Sequence, residues 1–419
     1  MTETPAARRA RLMGPNVPTF YRTPVHLVRG EGVWLWDAAG RRYLDCYNNV
    51  AHVGHGHPRV VAAIAAQAAL LNTHTRYHHD LVLDCLERLT ATLGHGIAQG
   101  MLVCTGSEAN DVAIRMAQAA TGRAGMIATD ATYHGNTALV SQLSTRRPPI
   151  GGRAPWVRLV PAPDGLRSPD DGTRFAAHVQ AAIDDLEAAG IGLAGMMLCP
   201  VLANEGLPDF PAGFLVPATE AVRRAGGLVI ADEVQCGFGR TGSHMWGHDR
   251  MGIAPDVVTL GKPMGNGHPV AAVLATPPVM AAFRGAFGYF NTFGGNPVSA
   301  AAALAVLDVI RDEGLQENAA RTSLYLLDRL RALRHPLIAD VRGAGHFYGV
   351  EFAGDGLAPA GDFVADLVEA MLARGVLVNR IGPGGATLKI RPPMPFGIPH
   401  ADLLADALAD ALAATRVPA

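Results

Sequence analysis

The sequence predicts an α/β protein built on a mainly parallel sheet, and three observations carry that prediction. Four short apolar runs have the look of buried strands: "GMIATD" at 125–130, "AGMMLCPV" at 194–201, "GGLVIADE" at 226–233 and "DVVTLGK" at 256–262. Helical patterns and loops lie between them, so successive strands must be joined by crossovers, and crossovers make neighbouring strands parallel. The 419 residues are 49% hydrophobic and 17% charged, enough apolar surface to cover such a sheet on both faces.

Taken in order, the chain opens on "MTETPAARRARLMG", which is basic but has no apolar segment behind it, so it does not read as a secretory signal. "VWLWDAAGRRYLDCYNN" places two apolar segments around a "DAAG" turn and predicts a β-hairpin. Pro58 is placed to open a helix. In "SEANDVAIRMAQAATG" the apolar positions Ala109, Val112, Ala113, Met116, Ala117 and Ala120 follow helical spacing, and Gly122 is the expected stop. Beyond Ile310 come a charged helix and two strand-like stretches, "ADVRGAGHFYGVEF" and "GVLVNRIGPGGATLKIRPP", of a smaller α+β portion. The expected division is an N-terminal segment at 1–56, a large domain at 57–310 and a small C-terminal domain at 311–419.

Charge and cysteine usage narrow the function. A net charge of −2, from 35 basic against 37 acidic residues with no basic stripe, argues against nucleic acid or an anionic membrane as partner. The apolar runs fall short of the ~20 residues that cross a bilayer. Five scattered cysteines with no CxxC pair fit a reducing compartment, and a cytoplasmic location is expected.

Three features then point to one chemistry. In "VCTGSEAND" a strand-like end turns through Gly106 and Ser107 into a helix, whose first free N–H groups make an anion cradle, although a serine there also serves as an ordinary cap. Asp232 ends "GLVIA", at the strand edge where open α/β sheets bind ligands. Lys262 ends the next run, thirty residues on; desolvation there would turn an ammonium into a usable amine. Singly, the last two are as well explained by a loop cap and a surface lysine. Together they match pyridoxal 5′-phosphate (PLP), which offers an aldehyde to a lysine, a pyridine nitrogen to an aspartate and a phosphate to a helix N-terminus.

The runs "CTGSEANDVAIRMAQ", "DATYHGN", "ADEVQCGFGRTGSHMWG", "TLGKPMGNGHPVAAV" and "YFNTFGGNPVSAAAALAVLDVI" resemble those of class III PLP-dependent aminotransferases of fold type I, over roughly Arg29 to Pro395. The resemblance implies a seven-stranded-type sheet in the large domain, with Lys262 bonded to the cofactor aldehyde and Asp232 paired with the ring nitrogen. It further implies Gly106 and Ser107 at the phosphate, Tyr133 and Val234 on the ring faces, His134 beside the cofactor and Gln235 near the ring hydroxyl. Thr292 would reach the phosphate of a neighbouring subunit, making the active unit a homodimer or a dimer of dimers. Arg391 in "LKIRPPMPF" would take a substrate carboxylate, and Phe20 and Tyr21 would roof the substrate pocket unless they pack under the hairpin tryptophans Trp34 and Trp36. The small-molecule partners would be an amine or amino acid donor and a keto acid or aldehyde acceptor.

"NNVAHVGHGHPRV" and "LNTHTRYHHD" are similar to the alanine–glyoxylate aminotransferase 2 branch, which also holds phospholyases that release phosphate and ammonia from amino-alcohol phosphates such as phosphoethanolamine. Where the family pattern reads roughly "EPVQGEGG", this chain has "CPVLANEG", with Cys199 and Asn204 in place of two glutamates and Glu205 one position from the second. A rival from another class is a zinc hydrolase built on His52, His55 and His57, or on His74, His78 and His79 with Asp80 and Asp84. Helix capping and subunit contacts are the ordinary explanation for these histidines.

Overall fold

The computed structural model describes residues 3–170 and 172–417. The hairpin forms as expected: β2 (Trp34–Asp37) pairs antiparallel with β3 (Arg42–Asp45), with Trp34 opposite Leu44. A further strand, β1 (Leu27–Glu31), flanks β2.

The large sheet has seven strands: β4 (Gln99–Val103), β5 (Gly125–Thr129), β6 (Val157–Val160), β7 (Leu193–Leu198), β8 (Leu228–Asp232), β9 (Val257–Leu260) and β10 (Ala271–Ala275), in the order β4-β10-β9-β8-β7-β5-β6. The four predicted strands are β5, β7, β8 and β9, adjacent in space and mutually parallel. β10 is the exception. It runs antiparallel to both β9 and β4. Val257, Val258 and Leu260 of β9 are fully buried, and each such side chain contributes about 1.5–3 kcal/mol relative to exposure.

The C-terminal part contributes β11 (Ile338–Ala344), β12 (Phe347–Phe352), β13 (Val376–Leu377), β14 (Asn379–Ile381) and β15 (Thr387–Ile390). Four of these form the sheet β11-β12-β15-β14, while β13 leaves to pair in parallel with β3, opposing Val376 to Leu44. One core, including Leu44, Tyr348, Phe352, Phe363 and Phe396, thus joins the two ends of the chain.

Register fixes where chemistry can occur. Asp232, the last residue of β8, lies opposite Thr259 of β9, so the ends of both strands open on one crevice. The lysine is not a strand end, as the sequence suggested. β9 stops at Leu260, and Lys262 opens a short 3-10 turn (Lys262–Gly265) at φ 21°. A non-glycine residue holds such a backbone only where its surroundings fix it, and that geometry is common at functional sites.

Candidate active site

The crevice is closed on one side by the helix Gly106–Thr121. Its cap is Thr105, whose Oγ1 accepts from the Glu108 N–H at 3.2 Å, rather than the serine. Ser107 instead accepts the Asn136 N–H at 3.2 Å. Gly122 ends the helix in the left-handed conformation, as expected. The N-terminal turn borders a cavity of about 230 Å³ lined by Gly106, Ser107, Tyr133, Asp232, Gln235 and Lys262, together with His134, Val234 and Cys199. A Cβ on Gly106 would stand 3.0 Å from both methyls of Val234, so the bare glycine lets the helix start come down onto the cavity floor.

Asp232 is buried and held by three donors: His134 Nδ1 at 2.7 Å, Asn110 Nδ2 at 3.0 Å and the Val234 N–H at 3.0 Å. Asn110 is itself fixed, donating to the His134 carbonyl at 2.7 Å and accepting from Thr259 Oγ1 at 2.6 Å. A buried carboxylate so surrounded has its oxygens satisfied and cannot turn away from the cavity. Asn110 lay in a recognised run but had no role assigned from sequence; its place on the inward face of the helix is the signal that could have found it.

Lys262 reaches the cavity from across the crevice, and no hydrogen bond engages its amine among the described residues. Burial holds its ammonium below the ordinary value against the pull of Asp232, and Arg391 adds to the depression. Of the 35 basic residues only two are lysines, Lys262 and Lys389. Arginine cannot give up its proton near neutral pH, whereas a buried lysine can. The two lysines therefore mark where the chain needs an amine, a signal already present in the composition.

Lys389, unforeseen from sequence, is buried beside the crevice. Its Nζ donates to the Ala203 carbonyl at 2.7 Å and to Gln235 Oε1 at 3.2 Å, and burial, reinforced by Arg391, pushes its pKa far down. Arg391 also donates to Gln235 Oε1, and to the Tyr47 carbonyl at 2.9 and 3.1 Å. It stands one side chain back from the cavity. Neither side chain forms an ion pair among the described residues. Glu205 does not substitute for the missing glutamate as arginine partner: it accepts from Thr129 Oγ1 at 2.7 Å and from the Asn204 N–H at 2.9 Å.

Two aromatic expectations divide. Phe20 meets Tyr47 edge-on at 5.2 Å, and the Tyr47 ring lies 5.1 Å from the Arg391 guanidinium, so Phe20 belongs to the rim of the site. Tyr21 does not roof the pocket. Its hydroxyl donates to the Val378 carbonyl at 3.0 Å and its ring packs against the core that Trp34 also borders, because the chain turns onto the small sheet there. Thr292 is exposed and is not part of this chain's own cavity; the adjoining Asn291 is bonded to Glu108 at the helix start.

The histidine-rich stretches do not converge as the zinc reading required. His52 Nε2 meets the Phe238 carbonyl at 2.7 Å and its Nδ1 meets Arg240, while His55 pairs with Asp45 at 2.7 Å and His57 with Glu313 at 3.0 Å. His74 stacks on Tyr77, and His78 is exposed. His57 and His79 occupy the positions just before helices, so spacing alone was misleading.

The family model for class III aminotransferases matches residues 18–412. A protein of Drosophila melanogaster described as alanine–glyoxylate aminotransferase 2-like is 40% identical, over 96% of this chain and 85% of its own. Among solved structures, a phospholyase from Arthrobacter in complex with phosphoethanolamine is 42% identical at TM-score 0.94, covering 98% of this chain and 100% of that one. An amine transaminase from an uncultivated Pseudomonas species, in its PLP-bound form, is 28% identical at TM-score 0.87, covering 96% and 98%.

Proposed function

The chain belongs to the class III aminotransferase family and is a PLP-dependent transaminase of fold type I; from that premise we propose how its own residues divide the work. The cavity fits the cofactor: a bare glycine at the helix start, an amine with no hydrogen-bond partner and a firmly held carboxylate surround it. Gly106, Ser107 and the free N–H groups of the helix would hold the phosphate. Asp232, oriented by His134 and Asn110, would pair with the ring nitrogen. Tyr133 and Val234 would take the ring faces, Gln235 the ring hydroxyl and Lys262 the aldehyde. When bound, PLP supplies an aldehyde for the amino group and a ring that accepts the electrons of the neighbouring carbon.

Lys262 then serves twice, as the anchoring amine and as the group that takes up and returns a proton at Nζ. A lowered pKa suits both tasks, because the neutral amine is the nucleophile and the base. Asp232 keeps negative charge opposite the ring nitrogen, and such a fixed charge acts most on the step in which charge develops.

The reaction is transfer of an amino group from an amine or amino acid donor to a keto acid or aldehyde acceptor, with an anionic group on at least one of them. The observation that carries the anionic preference is Arg391, whose guanidinium bonds the Gln235 amide oxygen and the Tyr47 carbonyl and has no carboxylate partner among the described residues. A second reading is elimination of phosphate and ammonia from an amino-alcohol phosphate. The same unpaired guanidinium suits a phosphate as well as a carboxylate, and the likeness to the Arthrobacter phospholyase supports it.

A single turnover of the PLP-loaded enzyme without acceptor, run with a panel of amines, amino acids and phosphoethanolamine, tests both. Cofactor converted to its amine form with no free ammonia establishes transfer. Ammonia and phosphate accumulating while the cofactor spectrum recovers establishes elimination.

We further propose a homodimer, supported by Thr292 standing exposed between the exposed rings of Phe290 and Phe293, where a second subunit would bring it to that subunit's phosphate. Five free thiols support a reducing, cytoplasmic setting.

A further inference from the structure

We propose that a divalent transition metal of the zinc type binds outside the crevice, where His95, His248 and Asp249 meet. His95 Nε2 lies 3.2 Å and His248 Nε2 3.6 Å from the same oxygen, Asp249 Oδ1, and all three ligand atoms fall within 4.8 Å of one another. Tetrahedral zinc with bonds of about 2.0–2.2 Å sets its ligand atoms roughly 3.4 Å apart. Both contacts to Asp249 thus match ligand spacing, and the two histidine nitrogens lie within 4.8 Å of each other.

A second observation singles out His248. Its side chain is fully buried, and Nε2, the atom facing Asp249, makes no well-formed hydrogen bond among the described residues, the Leu93 carbonyl and Asp249 acting on the ring only through looser contacts. The other ring nitrogen is fixed: Nδ1 is 2.8 Å from Glu233 Oε1. Glu233 also accepts the backbone N–H groups of Gly247 at 2.9 Å and His248 at 2.7 Å, so both the ring and its backbone are locked. A carboxylate bonded to the far nitrogen of a histidine is the usual way a metal ligand is oriented and its tautomer set. A simple His–Asp contact would leave Nε2 buried and unsatisfied, which a metal would resolve.

Two imidazoles and one carboxylate suit zinc, cobalt, nickel or copper, whereas magnesium and calcium prefer oxygen throughout. Access is open from one side, since His95 and Asp249 are about one-third exposed at 35% and 32%, and water can complete the coordination. Bound there, the ion would tie the turn after helix Asp80–Leu93 to helix Gly247–Met251, whose first residues hang on the immediate neighbour of Asp232. The site is a structural clip at the back of the active-site wall.

The test is titration of chelator-treated, PLP-loaded enzyme with zinc chloride by calorimetry, together with thermal unfolding. His95→Ala and Asp249→Asn are the variants, because both side chains reach the surface and neither belongs to the catalytic crevice. The expected result is one ion per wild-type chain, a higher unfolding temperature with zinc, and at least the roughly tenfold weakening known for loss of an outer-shell partner in each variant. No uptake by the wild type, or a weakening short of tenfold in the variants, overturns the proposal and places any zinc on other histidines or thiols.

Discussion

Asn110→Asp replaces the amide nitrogen 3.0 Å from Asp232 Oδ2 with a carboxyl oxygen in a fully buried position. Two carboxylates 3.0 Å apart repel by about 5.5 kcal/mol at an effective dielectric constant of about 20. This holds the second ionisation of the pair well above the ordinary carboxylate range. The sign follows from proton counting. At acid pH folded and unfolded chains both hold the proton and the substitution costs little; above the ordinary carboxylate range the folded pair keeps a proton that the unfolded chain has lost. Stability relative to wild type should therefore fall by about 1.4 kcal/mol for each pH unit across that window, levelling near 5.5 kcal/mol. Urea unfolding of both proteins at pH 5, 6, 7 and 8 measures it. The turnover ratio of variant to wild type should fall over the same interval. If the two stability profiles run parallel from pH 5 to 8, Asn110 is not the group holding Asp232 and the account of the site is wrong.

Lys262→Ala should abolish turnover while leaving the far-ultraviolet circular dichroism and unfolding midpoint near wild type; measurable turnover would remove Lys262 from the mechanism. Gly106→Ala pushes a methyl 3.0 Å from two Val234 methyls, an overpacking that costs about 1–3 kcal/mol. The PLP dissociation constant, followed by dialysis and absorbance, should rise by roughly five- to 150-fold for that energy, and unchanged affinity would refute the cradle. Gln235→Glu sets a carboxylate against Lys389 and Arg391, which now share that amide oxygen. The KM for an anionic donor should increase at least tenfold, about 1.4 kcal/mol, whereas a KM within twofold of wild type would show that Arg391 does not serve the substrate.

Local rules were enough wherever a structure depends on its own segment. The hairpin around "DAAG", the helix from Gly106 stopped by Gly122 and the strands β5, β7, β8 and β9 all show in periodicity and turn residues. What the sequence hid is set by distant pairing. Nothing in "AAVLA" tells that β10 runs against its neighbours, and the two residues of β13 join the N-terminal hairpin only because the chain ends share a core. The site divides similarly: Asp232 and Lys262 stand at places local pattern marks, while Asn110, Lys389 and the Gln235 bridge are defined by contacts across 100 residues or more. Tyr21 failed for the same reason, since its partner at Val378 lies 357 residues away.

The scarcity of lysine has a practical side. Apart from a chain terminus, coupling agents that attack amines, glutaraldehyde and succinimidyl esters among them, find only Lys262 in the crevice and Lys389 at 2% exposure. The outer surface carries its positive charge on guanidinium groups, which these reagents leave alone. Tethering the enzyme to a support through lysine would thus mean attacking the catalytic amine, and a single lysine introduced on a distant face would provide an attachment point of known location.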